Sequence, residues 1–533
     1  MKHFFLWCRK NYIFASPFLI ALYTALFLYA NNANEFRIYV LVLPIGISLL
    51  FAGIIFVTTK LVIKKTPMAT LLSSAIIFTA LSYIRIASLI DMIPFQMGKI
   101  DINEDVATCF VIFAFVFIVF FIVKKYKTKL LRANKILTIL VGILVLFSAF
   151  SIAQIELQNG RLFEKDTKNI KMQIKDVPYN SARPDIYYFI FDRYAGSRGL
   201  KEQYGFDNTA FLHFLEKQGF YVPRNSTTNY PKTFVSLGSS LNMEYLDFMT
   251  KKTNGGTSSD ESLVTPLIRN NKVVQFLKER GYSYIHVGSW WEATAMNPNA
   301  NKNFVLHYGV YPFADEFTTG YLNTTIAAPI LKATFHDPLA VSVDPQNNLH
   351  RKMMFYEFDT FKEIPQMPSP KFVFAHILIP HDPFVVDKNC QPITEDVVNT
   401  MQHQKNYTNQ VQCANKKIEV LLNQILKNSK TPPVIIFQAD EGPFPMNSPL
   451  PQHQSWSTAT DTALREKFPI LNAYYFPGIK DTHLYNTITP VNSFRILFND
   501  YFGTNYPLLP DKNYIFQDEN NYYKFTDVTD KVK

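Results

Sequence analysis

The sequence predicts a membrane-embedded helical bundle of five spans, followed by an α/β domain built on a mostly parallel central sheet. Three observations carry that reading. Five long apolar stretches fall within the first 155 residues. The basic residues around them sit in alternate loops. Beyond residue 183, short apolar runs alternate with longer mixed segments. Chain-wide averages hide this division: 533 residues are 48% hydrophobic and 18% charged, with a net charge of +10. Such apolar content excludes a disordered chain, and four cysteines at this length exclude a disulfide scaffold.

The apolar stretches are about Tyr12–Ala30, Arg37–Val57, Pro67–Ile90, Val106–Val123 and Ile136–Ile155. Each is close to the roughly 20 residues that cross a hydrocarbon core as a helix. The first is too long, and too plainly followed by others, for a cleaved signal peptide, and it reads as an uncleaved anchor. Lys2, Arg9 and Lys10 precede it; Lys60, Lys64 and Lys65 lie between the second and third spans; six basic residues from Lys124 to Lys135 lie between the fourth and fifth. The intervening loops are poor in basic residues, and one carries Asp91, Asp101, Glu104 and Asp105 against Lys99. Positive-inside counting gives a cytoplasmic N-terminus, an odd number of crossings and an extracytoplasmic C-terminal domain. That topology removes nucleic acid as a partner despite the positive charge. Apart from Arg85 in the third span, which reads either as a lipid-phosphate contact or as snorkelling, the spans hold almost no charge, which disfavours a transporter.

Residues 1–155 are thus expected to form the membrane domain, 156–183 a polar linker and 184–533 the outer domain. In the last, apolar runs at Ile186–Phe191, Tyr282–Val287, Phe372–Ile379, Val434–Phe437 and Leu471–Phe476 read as strands. Several lack alternation, as expected of strands covered on both faces. Segments such as Asn208–Gln218, Pro266–Arg280 and Val411–Leu426 read as the helices between them. Cys390 and Cys413 are the only cysteines there, in a compartment that permits a disulfide.

Ligands of such sheets bind beyond the carboxyl ends of the strands. Asp192 ends the first run; Asp440 follows the fourth, with Glu441 beside it. Converging carboxylates suit a hard or borderline divalent cation, whereas a single Asp after a strand is commonly a turn or helix cap. Thr233, in Pro-Lys-Thr-Phe, falls in the first turn of a predicted helix. Free backbone N–H groups favour an anion there, and a hydroxyl so placed is either a nucleophile or an ordinary cap.

The order strand–Asp, Pro-Lys-Thr-Phe, a His-containing strand end and Asp-Glu-Gly resembles the alkaline phosphatase superfamily, in its sulfatase-like branch. It looks most like the membrane-anchored envelope enzymes of that branch: lipoteichoic acid synthases and the phosphoethanolamine and phosphoglycerol transferases. The resemblance spans roughly Pro184–Asp511. It implies a divalent metal held by Asp192, Thr233, Asp440 and Glu441, with Thr233 as nucleophile. Glu441 stands where the family usually has His, which favours Mn²⁺ or Mg²⁺ over Zn²⁺. His381, in Ile-Pro-His-Asp-Pro-Phe, matches a histidine that contacts substrate phosphate or protonates the leaving group. Lys232, His376, His286, Trp290 and His453 are the further substrate-contact candidates, each with a plain structural alternative: strand packing for His376, His286 and Trp290, solvent exposure for Lys232 and His453. No Cys/Ser-x-Pro-x-Arg element surrounds Thr233, so sulfate-ester hydrolysis through formylglycine is disfavoured.

The resemblance therefore implies a transferase in a bacterial cytoplasmic membrane. It would move a phosphoethanolamine or phosphoglycerol headgroup from a phospholipid donor, through phospho-Thr233, to an envelope glycan or lipid. A membrane anchor suits a lipid donor. A phosphodiester hydrolase with water as acceptor, and a non-catalytic protein with a decayed site, are the alternatives.

Overall fold

The computed structural model describes residues 12–33, 36, 38–91, 104–126, 129–158, 183–253, 255–306, 316–334, 345–393, 398, 401–445 and 455–532. Among these, residues 12–158 with 316–334 form one compact unit, and 183–306 with 345–532 form another.

The first unit is helical. Ile38–Ile63, Val106–Lys125 and Leu130–Leu157 are long and apolar enough to cross a membrane. Thr66–Leu81 and Tyr83–Ile90 make a fourth candidate if the pair, bent by 69°, is a single span. Five spans were expected; the shortfall is the helix Ser16–Asn32, which has 17 residues. At 1.5 Å per residue it covers about 25 Å, less than a typical hydrocarbon core. It is nonetheless central to the bundle, with Ala21, Ala25 and Tyr29 fully buried.

The division between the two units is crossed a second time, because the chain between two strands of the second unit returns to the first. The helices Glu316–Asn323 and Ala327–Thr334 pack there, and their backbone answers a need created by the bend. The break at Ser82 deprives neighbouring backbone groups of helical partners; Ile84 N–H donates to the Thr324 carbonyl (3.2 Å), and Ile326 N–H donates to the Ala80 carbonyl (2.7 Å). In an apolar medium each such group left unpaired costs several kcal/mol. The Tyr321 hydroxyl, fully buried, bonds the hydroxyls of Ser48 (2.6 Å) and Thr24 (2.9 Å), and Phe317 packs edge-on against Tyr29 and Phe36.

The second unit is built on a six-stranded sheet in the order β3-β2-β4-β1-β5-β6: β1 Ile186–Phe191, β2 Ser283–Val287, β3 Lys302–Phe304, β4 Lys371–Ile377, β5 Val434–Gln438 and β6 Asn472–Tyr475. All pairings are parallel except β5 with β6. The five apolar runs became strands; β3 was not anticipated, being three residues with a polar start. Burial on both faces explains the missing alternation. Ile186, Tyr188 and Ile190 of β1 face one core with Phe372 and Phe374 of β4 and Val434 and Ile436 of β5. Tyr187, Phe189 and Phe191 face the opposite core with Val373, Ala375, Ile435 and Phe437. Cys390 and Cys413 are joined in a disulfide.

Tyr321→Ala removes both hydroxyl bonds and opens a cavity beneath the returning segment, a loss of roughly 3–5 kcal/mol by analogy with other large-to-small aromatic truncations. Limited proteolysis of the full chain in detergent is expected to cut between β3 and β4 faster in the variant, with cuts elsewhere unchanged.

Candidate active site and metal centre

The two-residue repeat of a strand places the site. Ile190 pairs with His376 of β4 and with Gln438 of β5. Asp192 and Asp440 lie two residues further along β1 and β5, so both carboxyls, like His376, belong to the face of the sheet that carries Ile190. The helix Thr233–Ser240 covers that same face through Phe234, Val235 and Leu237. Its Ser236 hydroxyl donates to the Asp440 carbonyl (2.7 Å), tying the helix to the end of β5. Asp192 N–H donates to the Ile377 carbonyl (3.1 Å).

Asp192, His376 and Asp440 offer ligand atoms that all lie within 4.8 Å of one another, and all three residues are buried. His376 Nε2 is 3.3 Å from Asp192 Oδ2. The other His376 nitrogen, Nδ1, is engaged by the Thr294 hydroxyl at 3.0 Å, which fixes the ring as outer partners of metal-ligating histidines do. Asp192 Oδ1, Asp440 Oδ2, Glu441 Oε2 and His376 Nε2 are buried without a hydrogen-bond partner. Burial and the charges of Asp192 and Glu441 push the Asp440 carboxyl well above its usual range. Burial opposes ionisation of Asp192 too, but His381, His376 and Arg193 more than offset it and hold its carboxyl low. Two carboxylates and an imidazole, desolvated and with free lone pairs, are the donor set of a divalent cation, and the residues fit one.

Thr233 is the first residue of its helix, and its hydroxyl faces the Asp440 carboxyl closely enough to favour that group's ionised form. It lines a pocket with Asp192, Arg193, Lys232, Trp290, His381 and Glu441, in which a water-sized sphere's centre has about 130 Å³. Acids are matched to bases around it. Glu441 Oε1 accepts from Arg193 Nε at 3.0 Å and lies 3.1 Å from Lys467 Nζ. Glu441, expected as a ligand, thus has one oxygen committed to two cations and the other without a partner, and it stands beside the cluster formed by Asp192, His376 and Asp440. Arg193, held at φ 60°, also donates to Asp382 (2.6 Å) and lies over the Phe444 ring. Lys467 is fully buried, and burial brings its amine down to about 8. Gly442 is required where Glu441 leads away, since a Cβ there would meet the Lys467 carbonyl oxygen at 2.3 Å.

His381 lines the pocket. Its Nδ1 donates to the Asp382 carbonyl, which leaves Nε2 as the basic nitrogen. Burial and Arg193 lower its pKa. Lys232 faces the pocket but is paired with Glu261 (3.0 Å) and lies over Tyr522. Trp290 lines the pocket, its ring nearly perpendicular to that of His381. His376, expected to touch substrate, joins the aspartates instead. His286 is corrected as well: it is buried, its Nε2 donates to the Thr294 carbonyl (2.8 Å), and its Nδ1 accepts from Tyr284 (3.0 Å). With both nitrogens used, it supports the Thr294–His376 contact from behind. His453 lies outside the described residues. Arg193, Lys467 and Asp382 were missed. Arg193 had a signal, standing directly after Asp192; Lys467, 26 residues beyond Glu441, had none.

The family model described as "Sulfatase" matches residues 201–493, a span that holds Thr233, His376, His381 and Asp440. The chain belongs to the sulfatase family. Within the alkaline phosphatase superfamily this places it in the sulfatase-like branch, as an enzyme of that type. No curated protein matches the chain. Among solved structures, it is similar to the C-terminal periplasmic domain of EcEptC from Escherichia coli (12% identity, TM-score 0.41, covering 65% of this chain and 93% of that one). It is also similar to the C-terminal periplasmic domain of the phosphoethanolamine transferase EptC from Campylobacter jejuni (9%, TM-score 0.36, 62% and 92%). A third is a putative sulfatase from Bacteroides thetaiotaomicron (14%, TM-score 0.39, 61% and 72%).

Within this sulfatase fold the neutral form of His286 satisfies both neighbours, and protonating Nδ1 would break the bond from Tyr284. Burial accordingly lowers its pKa from 6.5 to about 4. Above pH 6.5 the group is neutral folded and unfolded. As pH falls from 6.5 toward 4, only the unfolded chain takes the proton, and stability is lost, on the order of 3 kcal/mol in full. Thermal unfolding between pH 7 and 4 is expected to show a shallower acid decline in His286→Gln than in wild type. Parallel curves would assign the decline to other groups.

Proposed function

We propose that this chain is a metal-dependent phosphotransferase of the bacterial cytoplasmic membrane. It would take a phosphoethanolamine or phosphoglycerol headgroup from a phospholipid and pass it to an envelope glycan or lipid. The observation that carries the reading is the place of Thr233: it starts a helix and lines the pocket with Asp192, beside three ligand atoms fit for a cation. A bound divalent cation would supply Lewis acidity and lower the cost of deprotonating a hydroxyl.

The chain's own residues account for the rest. The first turn of the helix Thr233–Ser240 presents unbonded N–H groups where the equatorial phosphoryl oxygens would lie. The Asp440 carboxyl, when ionised, would accept the Thr233 proton as Oγ1 attacks phosphorus. The bond from phosphorus to the diacylglycerol oxygen breaks, that oxygen taking a proton from water, and the headgroup phosphate stays on Thr233. In the second half, His381 Nε2, basic and neutral because its pKa is lowered, suits removal of a proton from the acceptor hydroxyl. This modifies its expected role as an acid for the first leaving group. Thr233 with no formylglycine element supports phosphorus over sulfur.

The preference for Mn²⁺ or Mg²⁺ rested on an all-oxygen set. His376 brings an imidazole, which favours Mn²⁺ or Zn²⁺ over Mg²⁺. For topology we retain five crossings, with Ser16–Asn32 as the first and the bent pair as the third. The N-terminus would be cytoplasmic and the sulfatase-like domain extracytoplasmic, as the loop charges indicate.

Two measurements test this reading. Metal analysis of the purified chain is expected to find about one divalent ion, lost in Asp192→Asn and His376→Ala and kept in Glu441→Gln. Equal loss in Glu441→Gln would make it a full ligand. Intact-mass analysis after exposure to phospholipid vesicles is expected to show a headgroup-phosphate adduct, absent in Thr233→Ala. Steady release of phosphorylated headgroup to water, with no transfer to any glycan or lipid acceptor, would establish the hydrolase. Metal with neither adduct nor turnover would overturn the transferase reading.

A further inference from the structure

The active-site pocket has a neighbour. Trp290 and Leu378 line it and also line a second cavity, together with His350, Met354, Glu357 and Pro383. This cavity admits the centre of a water-sized sphere over about 10 Å³, room for one water-sized group. Glu357 is 1% exposed, and neither of its carboxyl oxygens has a hydrogen-bond partner. His350 Nδ1 is buried without a partner too, and the ring is stacked on Trp290 with centroids 4.5 Å apart. No basic lysine or arginine is among the described residues lining the cavity.

A buried carboxyl with both oxygens unpaired is a costly arrangement, and burial alone pushes the Glu357 pKa well above the ordinary range. Burial and His381 lower the pKa of His350 to about 4, so it offers a neutral acceptor. An unpartnered carboxyl, an unpartnered imidazole nitrogen and an aromatic ring thus belong to residues that line space for one small group. A hydroxyl fits the volume but brings one donor and no charge. A quaternary ammonium brings the charge but is too large and has no N–H. A primary ammonium brings three donors and a full charge in a water-sized head.

We propose that Glu357, His350 and Trp290 form a subsite for the primary ammonium of the donor headgroup, so that the enzyme takes phosphoethanolamine rather than phosphoglycerol. The inference rests on the transferase reading above and names the substrate class of that site. Glu357 is a specificity residue here and takes no part in bond making.

The test uses the full chain in detergent with its native metal. Vesicles of phosphatidylethanolamine, phosphatidylglycerol or phosphatidylcholine are supplied separately, and adduct formation on Thr233 is followed by intact mass. Bis(4-nitrophenyl) phosphate, which lacks an amine, reports the chemistry alone. Wild type is expected to be marked from phosphatidylethanolamine only. Glu357→Gln should form that adduct at least about tenfold more slowly, a loss of about 1.4 kcal/mol, with nitrophenyl ester cleavage unchanged. Preference for phosphatidylglycerol in wild type, or an unaltered donor preference in Glu357→Gln, overturns the subsite. If no phospholipid marks Thr233 while the nitrophenyl ester is cleaved, the donor reading has failed. The subsite is then judged by competition: 2-aminoethylphosphonate must inhibit wild type better than ethylphosphonate, and lose that advantage in Glu357→Gln. Absence of the advantage in wild type overturns it. His350→Gln, expected to weaken the amine preference in the same direction, serves if Glu357→Gln does not fold.

Discussion

The second unit is organised around an electrostatic problem: Asp192, Asp440 and Glu441 carry carboxyls into a desolvated space at the ends of two neighbouring strands. Like charges that close in a low-dielectric interior cannot all remain ionised without compensation. The protein supplies part of it. Arg193 and Lys467 converge on one oxygen of Glu441, Arg193 N–H reaches Asp440 at 3.3 Å, and the aromatic rings of Phe444 and Trp456 cover the Lys467 amine. What is left over, on Asp192, Asp440 and His376, is a set of lone pairs with no proton to accept. A fold that only needed to be stable would replace such a cluster with apolar side chains. Its retention, next to a hydroxyl at a helix N-terminus, is the physical argument for catalysis over a decayed site.

Much of this was legible because strand periodicity and motif order carry position. The acids after β1 and β5 could be assigned to one edge of the sheet once both runs were read as buried parallel strands. Thr233 followed from its place at a helix start. What stayed hidden depends on contacts between distant residues. The sequence around His376 is apolar, so packing was the plain reading; only the pairing of Ile190 with position 376 brings its ring beside Asp192. Lys467 belongs to no motif. Glu441 was readable as an acid near a metal, but the cations that engage it come from β1's end and from the helix Asp461–Lys467.

The first unit shows a similar limit in another medium. Hydropathy marked its helices well, since a 20-residue apolar run has few other meanings. It could not show that Thr66–Leu81 breaks before Tyr83, nor that a segment 240 residues downstream supplies the partners for the opened backbone. The signal was present only as residue type: Tyr321 is a hydroxyl that, once buried, must find acceptors, and Ser48 and Thr24 are small hydroxyls within apolar helices.

The two cavities beside Trp290 divide the chemistry that the family resemblance leaves together. In the larger, every ionisable group is paired or poised for a cation, and the cluster is indifferent to what the phosphoryl group carries. In the smaller, Glu357 is unpaired and takes no part in that balance, so its cost is recovered only when a particular substituent arrives. Selectivity built this way is strong, because a headgroup lacking the ammonium leaves a buried acid unanswered instead of merely losing a contact. In the proposed reaction, the ends of β1 and β5 and the Thr233 helix would fix how phosphorus is attacked. The choice of ester would then rest on Glu357 and His350 of the helix Pro345–Asp359, which lie outside the ligand cluster.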